Sequence, residues 1–408
     1  MQISHSDQSW LRQKLEALEQ IDRPSASAGE LEAAEWLVRE FGELGAEARI
    51  EPETVHGTYW WPIGIGTAAG VLGGIAAARG RRLLAGLLGI FGTAAIATDF
   101  PPHSRPLRKF LKKRTTHNVV CELGNPDAEN TVVFISHHDA AHAGFIFHPG
   151  IPKLTAKTGM FEKMDTSPML MAPVIGGPVL AAVAGLFGSW RLGRAAAVLA
   201  AGSTAAMIDI GIRKVVPGAN DNGTAVVGLL ELARRFKAEP PENLRVILLS
   251  TGSEESFSEG MKAFGERHFS EMPRRSTFFA SLDTVGSPHL TVLRGEGFLN
   301  MYDYTPEALE VVDGLAEELD IYLFPNLRIH NGTDGLESLA AGYPSVSIAS
   351  CTEQKQPAHY HWPDDISANV DFGTVDEAIR LSEAIARRLD ETWLYDADAS
   401  PDAESSGS

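Results

Sequence analysis

The stretch Arg245-Val-Ile-Leu-Leu-Ser-Thr-Gly-Ser-Glu-Glu255 decides the fold. Its apolar run does not alternate, which suits a strand buried on both faces of a parallel sheet. The Gly-Ser pair ends the strand and two carboxylates follow at its C-terminal end, where open α/β sheets bind their ligands. Outward from this point the chain alternates: helix 223–237 before it, helix 258–268 and strand 277–283 after it. A helix at 305–319, strands at 321–326 and 345–350, and a long helix at 373–395 continue the pattern. Toward the N-terminus, 8–21 and 28–45 read as amphipathic helices, the second opened by a capping box from Ser27 to Glu30. Strands are expected at 46–51, 117–123 and 131–136, with the turn Gly124-Asn-Pro-Asp127 joining the last two as antiparallel neighbours. The whole predicts a three-layer α/β/α fold with a mixed, largely parallel central sheet.

Two uncharged regions interrupt this pattern. Residues 57–78 and 83–98 flank a basic tip, Arg79-Gly-Arg-Arg82, and 166–190 and 195–208 flank Arg191-Leu-Gly-Arg194. Each reads as an apolar helical hairpin inserted in the α/β body, which divides the chain into 1–58, 101–165 and 213–395 (body), 59–100 and 166–212 (hairpins) and 396–408 (tail). A helix of about 17 residues reaches roughly 25 Å, short of the ~30 Å hydrocarbon core. The hairpins therefore suit either a membrane or a cover for the core or for a homodimer partner. Tyr59, Trp60, Trp61 and Trp190 suit a membrane interface, and Gly66, Gly70 and Gly74 form a small-residue face. The basic run Arg105-Pro-Leu-Arg-Lys-Phe-Leu-Lys-Lys-Arg114 is expected to touch anionic headgroups. Both hairpins should leave the same side of the sheet near His137, because the strands beside them are expected to be antiparallel neighbours. A membrane-associated protein with its α/β body in the cytoplasm is expected, since basic residues gather at the body side and the polar N-terminal stretch lacks a secretory core. The acidic tail is expected to be disordered.

The net charge of −18 over 408 residues, with no compensating basic face, excludes a nucleic-acid partner. Two cysteines, Cys121 and Cys351, lie in β-type runs and read as buried thiols.

Further carboxylates and imidazoles stand at strand ends and helix starts: Ser136-His-His-Asp-Ala140, Gly218-Ala-Asn-Asp-Asn222, Ser281-Leu-Asp-Thr-Val-Gly286 and His359-Tyr-His-Trp-Pro-Asp-Asp365. His137, Asp221, Glu255, Asp283 and His361 offer the mixed imidazole and carboxylate set, with one acid shared, that a pair of metal ions about 3.5–4 Å apart requires. Asp139, two residues beyond His137 on a strand, can fix the tautomer of that ring. Adjacent Glu254 and Glu255 diverge, so one can bind metal while the other faces a substrate. Each segment alone has a plainer reading. The His-His-Asp triplet suits a solvated loop, Asn220 and Asn222 suit a turn and a helix cap, and the Glu pair suits a helix start.

As an ordered set, these segments resemble the zinc-dependent exopeptidases with two co-catalytic metals, the group of aminopeptidase Y, bacterial leucyl aminopeptidase and glutamate carboxypeptidase II. The resemblance covers 7–58, 101–144 and 215–395, and Thr333–Pro344 looks like a further family segment. It implies a phosphorylase/hydrolase-like fold and two Zn²⁺ ions, one on His137 and Asp283, the other on Glu255 and His361, with Asp221 bridging. It also implies Glu254 as general base, Asp139 as orienter of His137, and a cis Asp221–Asn222 bond. The chain departs from the family pattern at His138, at Trp362 and in the long insertion between His137 and Asp221. The activity implied is hydrolysis of N-terminal peptide bonds in a peptide substrate. Alternatives are a carboxypeptidase, a glutaminyl-cyclase-like acyl transferase, or a receptor or adaptor on the same fold.

Overall fold

The computed structural model describes residues 3–156 and 165–394. The tail from 396 onward lies outside the described residues. A seven-stranded sheet is built from β1 (Ala48–Val55), β2 (Arg114–Gly124), β3 (Asn130–His137), β4 (Leu244–Thr251), β5 (Thr277–Asp283), β6 (His289–Val292) and β7 (Ser345–Cys351). Their spatial order is β1-β2-β4-β3-β5-β7-β6. The four central strands β4, β3, β5 and β7 are parallel, and the pairings outside them are antiparallel.

The helices are α1 (Gln8–Leu18), α2 (Ala28–Glu43), α3 (Trp60–Ala78), α4 (Arg82–Ala97), α5 (Ala172–Phe187), α6 (Trp190–Ile212), α7 (Thr224–Ala238), α8 (Glu259–His268), α9 (Pro306–Glu318), α10 (Gly335–Ala340) and α11 (Phe372–Glu391). Strand residues alternate between two covers, as the two-residue period requires. Val132 and Phe134 meet α1, α2, α7, α9 and α11 in the larger core. Val133 and Ile135 meet α8 through Met261 and Phe264 on the other face. This is the three-layer arrangement expected from the alternation of elements.

Two expectations about strands fail. β2 and β3 are not neighbours, because β4 lies between them. The connection 125–129 can reach about 16 Å when extended, enough to step over one strand. It is tied across the start of β4 by Asn125 N donating to Leu244 O (3.0 Å) and Asn125 Nδ2 to Glu242 O (2.8 Å). The predicted strand 321–326 is irregular. Pro325 lacks a donor and Asn326 turns to φ +56°, so only Phe324 bonds to β6. The capping box is also rewired: Ser27 caps α2, but Glu30 turns inward and accepts from Ala26 N, Thr116 Oγ and Ser253 Oγ.

The apolar segments form two hairpins, α3–α4 and α5–α6, which pack as one four-helix unit. Glycines bring the backbones together: a Cβ at Gly74 would lie 2.5 Å from Ala197 N. Both hairpins leave from the C-terminal end of the central strands, since β2 is antiparallel to β4 and β4 parallel to β3. At their base Tyr59, Ile63, Ile96, Phe100, Val174 and Ile210 pack on Phe257 and Phe298 of the body. Outward, Trp61, Leu72, Leu83, Ile90, Leu186 and Val198 are exposed. Of the basic run, Arg105 and Arg108 are buried rather than free for headgroups; Lys109, Lys112, Lys113 and Arg114 are exposed.

Candidate metal centre

The parallel register brings the ends of three strands level. His137 pairs with Thr251 and Ile135 with Ser281, so His137, Asp283 and the turn carrying Glu254 and Glu255 share one end of the sheet. Asp221 joins them from the turn before α7, and His361 from the loop after β7. Asp221 lies between the two imidazoles, Oδ1 at 3.3 Å from His137 Nε2 and Oδ2 at 3.2 Å from His361 Nε2. Glu255 Oε2 is 3.2 Å from His361 Nε2, while Asp283 Oδ2 and Glu254 Oε2 are each 3.9 Å from His137 Nε2. All five expected ligand-type residues and Glu254 are thus brought together.

The turns that carry these side chains are held mainly by polar contacts to their backbone. Asp139 accepts from the backbone of Glu254 (3.0 Å) and Glu255 (3.1 Å) and from Ser25 Oγ (2.6 Å), so it fixes the acid turn as well as facing His137 Nδ1. His137 Nδ1 also meets Asp139 O at 3.2 Å, which leaves Nε2 for the centre. Asp365 accepts from Asn220 N and Asp221 N, and the buried Arg23 donates to Pro217 O and Gly218 O. Gly218 has φ +64°, and a Cβ there would lie 2.6 Å from Asp221 O, so the turn requires glycine. Asn220 and Asn222 do more than shape a turn. Asn222 bridges Leu282 O and Thr284 N, and Asn220 accepts from Gly286 N, tying the Asp221 turn to the Asp283 loop. The Asp221–Asn222 peptide is cis. His361 is set by Tyr360 stacked on its ring at 3.8 Å and Phe147 edge-on at 4.5 Å.

The cluster carries more negative charge than its own groups balance. Burial pushes the Asp283 carboxyl up to about 8, with Asp221, Asp334 and Glu255 adding to the rise against His137. Burial likewise raises Glu254 well above the carboxylate range, opposed by His137 and reinforced by Asp334 and its neighbouring acids. Burial would lower His361, but Glu255 and Asp221 outweigh it and lift the ring to about 10. Among the described residues, buried Glu255 Oε1 and His361 Nδ1 have no hydrogen-bond partner. Unpaired buried carboxylates are costly unless a cation joins them. The hard oxygen and imidazole donors fit zinc or a similar divalent ion. His137, Asp221 and Glu255 offer atoms all within 4.8 Å of one another.

Asp334 is a site residue that spacing and residue type alone do not mark in the sequence. It is buried beside the centre, accepts a hydrogen bond from Thr251 Oγ, and raises Glu254 and Asp283. In the sequence its segment Thr333–Pro344 is marked only by the family resemblance, because no long apolar run leads into it. His138, by contrast, is buried against Ser250 Oγ (3.1 Å) and held neutral by burial, as a packing residue should be. A cleft opens over the centre, walled by Tyr59 and Met171 from the hairpin bases and by Phe257, Phe298, Ile329 and Tyr360.

Residues 204–386 match the model of Peptidase family M28. No curated protein matches the chain. Among solved structures, a Zn-dependent exopeptidase from Parabacteroides distasonis is 13% identical with TM-score 0.56, covering 94% of this chain and 99% of its own. An aminopeptidase from Aneurinibacillus sp. is 15% identical with TM-score 0.55, covering 94% of each chain. A glutaminyl cyclase from Bacteroides thetaiotaomicron is 12% identical with TM-score 0.57, covering 94% and 99%. The likeness to these structures is one of fold. The family match over residues 204–386 bears out the resemblance to the zinc exopeptidases, and the fold likeness agrees with it.

Proposed function

We propose that the protein is a zinc-dependent metallopeptidase, and more narrowly a two-zinc aminopeptidase seated on a membrane. The observation that carries the catalytic reading is Asp221 held between His137 and His361, one carboxylate oxygen toward each ring. His137 and Asp283 would hold one zinc and Glu255 and His361 the other, with Asp221 shared. Bound there, such ions supply Lewis-acid chemistry, polarising a carbonyl and making water acidic enough to attack near neutral pH. Glu254 takes the proton of the attacking water and returns it to the leaving amine. Asp139 keeps Glu254 and Glu255 diverging by accepting both of their backbone N–H groups. A complete bridging set favours hydrolysis over the acyl transfer of a cyclase. A panel of amino-acid arylamides, N-blocked peptides and N-glutaminyl peptides tests it. Free amino termini should be released and blocked ones spared; release of C-terminal residues from blocked peptides, or cyclisation as the main product, would overturn the aminopeptidase assignment.

The membrane reading rests on the four-helix unit. Two of its helices, Trp60–Ala78 (19 residues) and Trp190–Ile212 (23 residues), are long and apolar enough to cross a membrane. The unit also exposes large apolar side chains that water disfavours. Lys109, Lys112, Lys113, Arg114, Arg213 and Lys214 lie at the base, against Arg79, Arg81, Arg82, Arg191 and Arg194 at the tips. That balance leans toward the base, and so the catalytic body, on the cytoplasmic side. In cell fractionation the protein should pellet with membranes and resist a high-salt wash. Recovery as a soluble monomer would refute membrane attachment, and a soluble dimer would assign the apolar face to a second copy.

A further inference from the structure

The turn that carries Glu254 and Glu255 rests on the two ends of the first hairpin. Arg108, 1% exposed, clasps Asp99 just past the end of α4 with two hydrogen bonds (2.9 and 2.8 Å). Its other nitrogen donates to Ser256 O (2.8 Å) and meets Glu259 Oε2 (3.0 Å). Glu259 in turn accepts from Gly57 N (2.7 Å) and His56 N (3.1 Å), where the chain enters the hairpin, and from Ser256 Oγ (2.8 Å). Burial would raise the Glu259 carboxyl, but Arg108 and its hydrogen bonds hold it down at about 2, so the clasp is ionic near neutral pH. A second arginine of the same run, Arg105, pairs with Glu337 (2.9 Å) on α10, the helix that starts beside Asp334.

We propose that Arg108 is a positioning residue: through Ser256 O and Glu259 it sets the Glu254–Glu255 turn against the base of the first hairpin. It touches no substrate. This rests on the role given to Glu254 above. A misplacement of about 1 Å in a catalytic group can cost about 10²-fold, and Ser256 is directly bonded to Glu255. Removing the guanidinium also leaves Asp99 and Glu259 buried without their cation, so the turn must shift toward solvent or water must enter.

The test uses the full-length protein in detergent at saturating zinc. Arg108→Gln should lower kcat about 10- to 100-fold with KM within about threefold. Amide exchange of 253–259 should accelerate while that of β3 and β5 stays at the wild-type rate. Arg108→Lys, which keeps the charge, should recover part of both. Arg294→Gln removes a pair with Asp313 (2.9 Å) away from the acid turn and measures what general destabilisation does; its kcat should stay at the wild-type value. Should Arg108→Gln not fold, the Lys variant and Asp99→Asn carry the same comparison. Wild-type kcat and exchange in a folded Arg108 variant, or an equal kcat loss in Arg294→Gln, overturns the proposal. Exchange needs no substrate, so a wild type inactive on every peptide would sink the peptidase reading while leaving this result readable.

Discussion

Glu254→Gln should reduce kcat by at least about 10²-fold, the lower end of what a general base contributes. The substitution keeps the size and one carbonyl acceptor but removes the ability to take a proton. Glu254 is well placed for that role. Its backbone is fixed by Asp139, its carboxylate approaches to 3.9 Å of His137 Nε2, and burial raises its proton affinity. Because it is proposed as the base and not as a ligand, its substitution should leave metal content near wild type. Glu255→Ala should instead lose metal, since Glu255 Oε2 stands 3.2 Å from His361 Nε2. Metal analysis beside steady-state kinetics separates the two. An unchanged kcat in Glu254→Gln would mean that proton transfer runs through another group, with Asp334 the nearest candidate.

Removing the metal, or Asp221, should have an effect at least as large. Chelation should take activity below detection and added zinc should restore it. Asp221→Ala should do the same irreversibly, because one side chain faces both imidazoles. A readout independent of activity is thermal stability. A ligand that binds only the folded state at 100 times its Kd adds about 2.7 kcal/mol. The chelated protein should therefore melt earlier, and Asp221→Ala should gain nothing from zinc. Full activity in metal-free protein would remove the catalytic reading altogether.

The residues that form the centre were legible because each sits at the end of an apolar strand or the start of a helix, where spacing and residue type are local signals. What was not legible depends on partners far along the chain. Arg105 and Arg108 look like a solvated basic run until Asp99, Glu259 and Glu337 close around them. Asp334 follows no long apolar run that would mark it, and its bond from Thr251 joins positions more than eighty residues apart. Strand order failed for a similar reason. The Gly-Asn-Pro-Asp turn is a genuine turn, but the pairing of β2 is decided by the apolar run of β4, made more than a hundred residues later.

That insertion has a consequence for how the protein is made. β2 and β3 leave the ribosome with a slot between them that only β4 can fill, and by then both apolar hairpins have been synthesised. At about 5–20 residues per second, roughly seven to thirty seconds separate the end of the second hairpin from the arrival of His361. The apolar unit is therefore complete while the centre still lacks Asp221, Glu254, Glu255, Asp283 and His361. On the membrane and zinc readings proposed above, insertion comes early and metal loading late, so a chain stalled between the two exposes unpaired strand edges but lacks its catalytic centre.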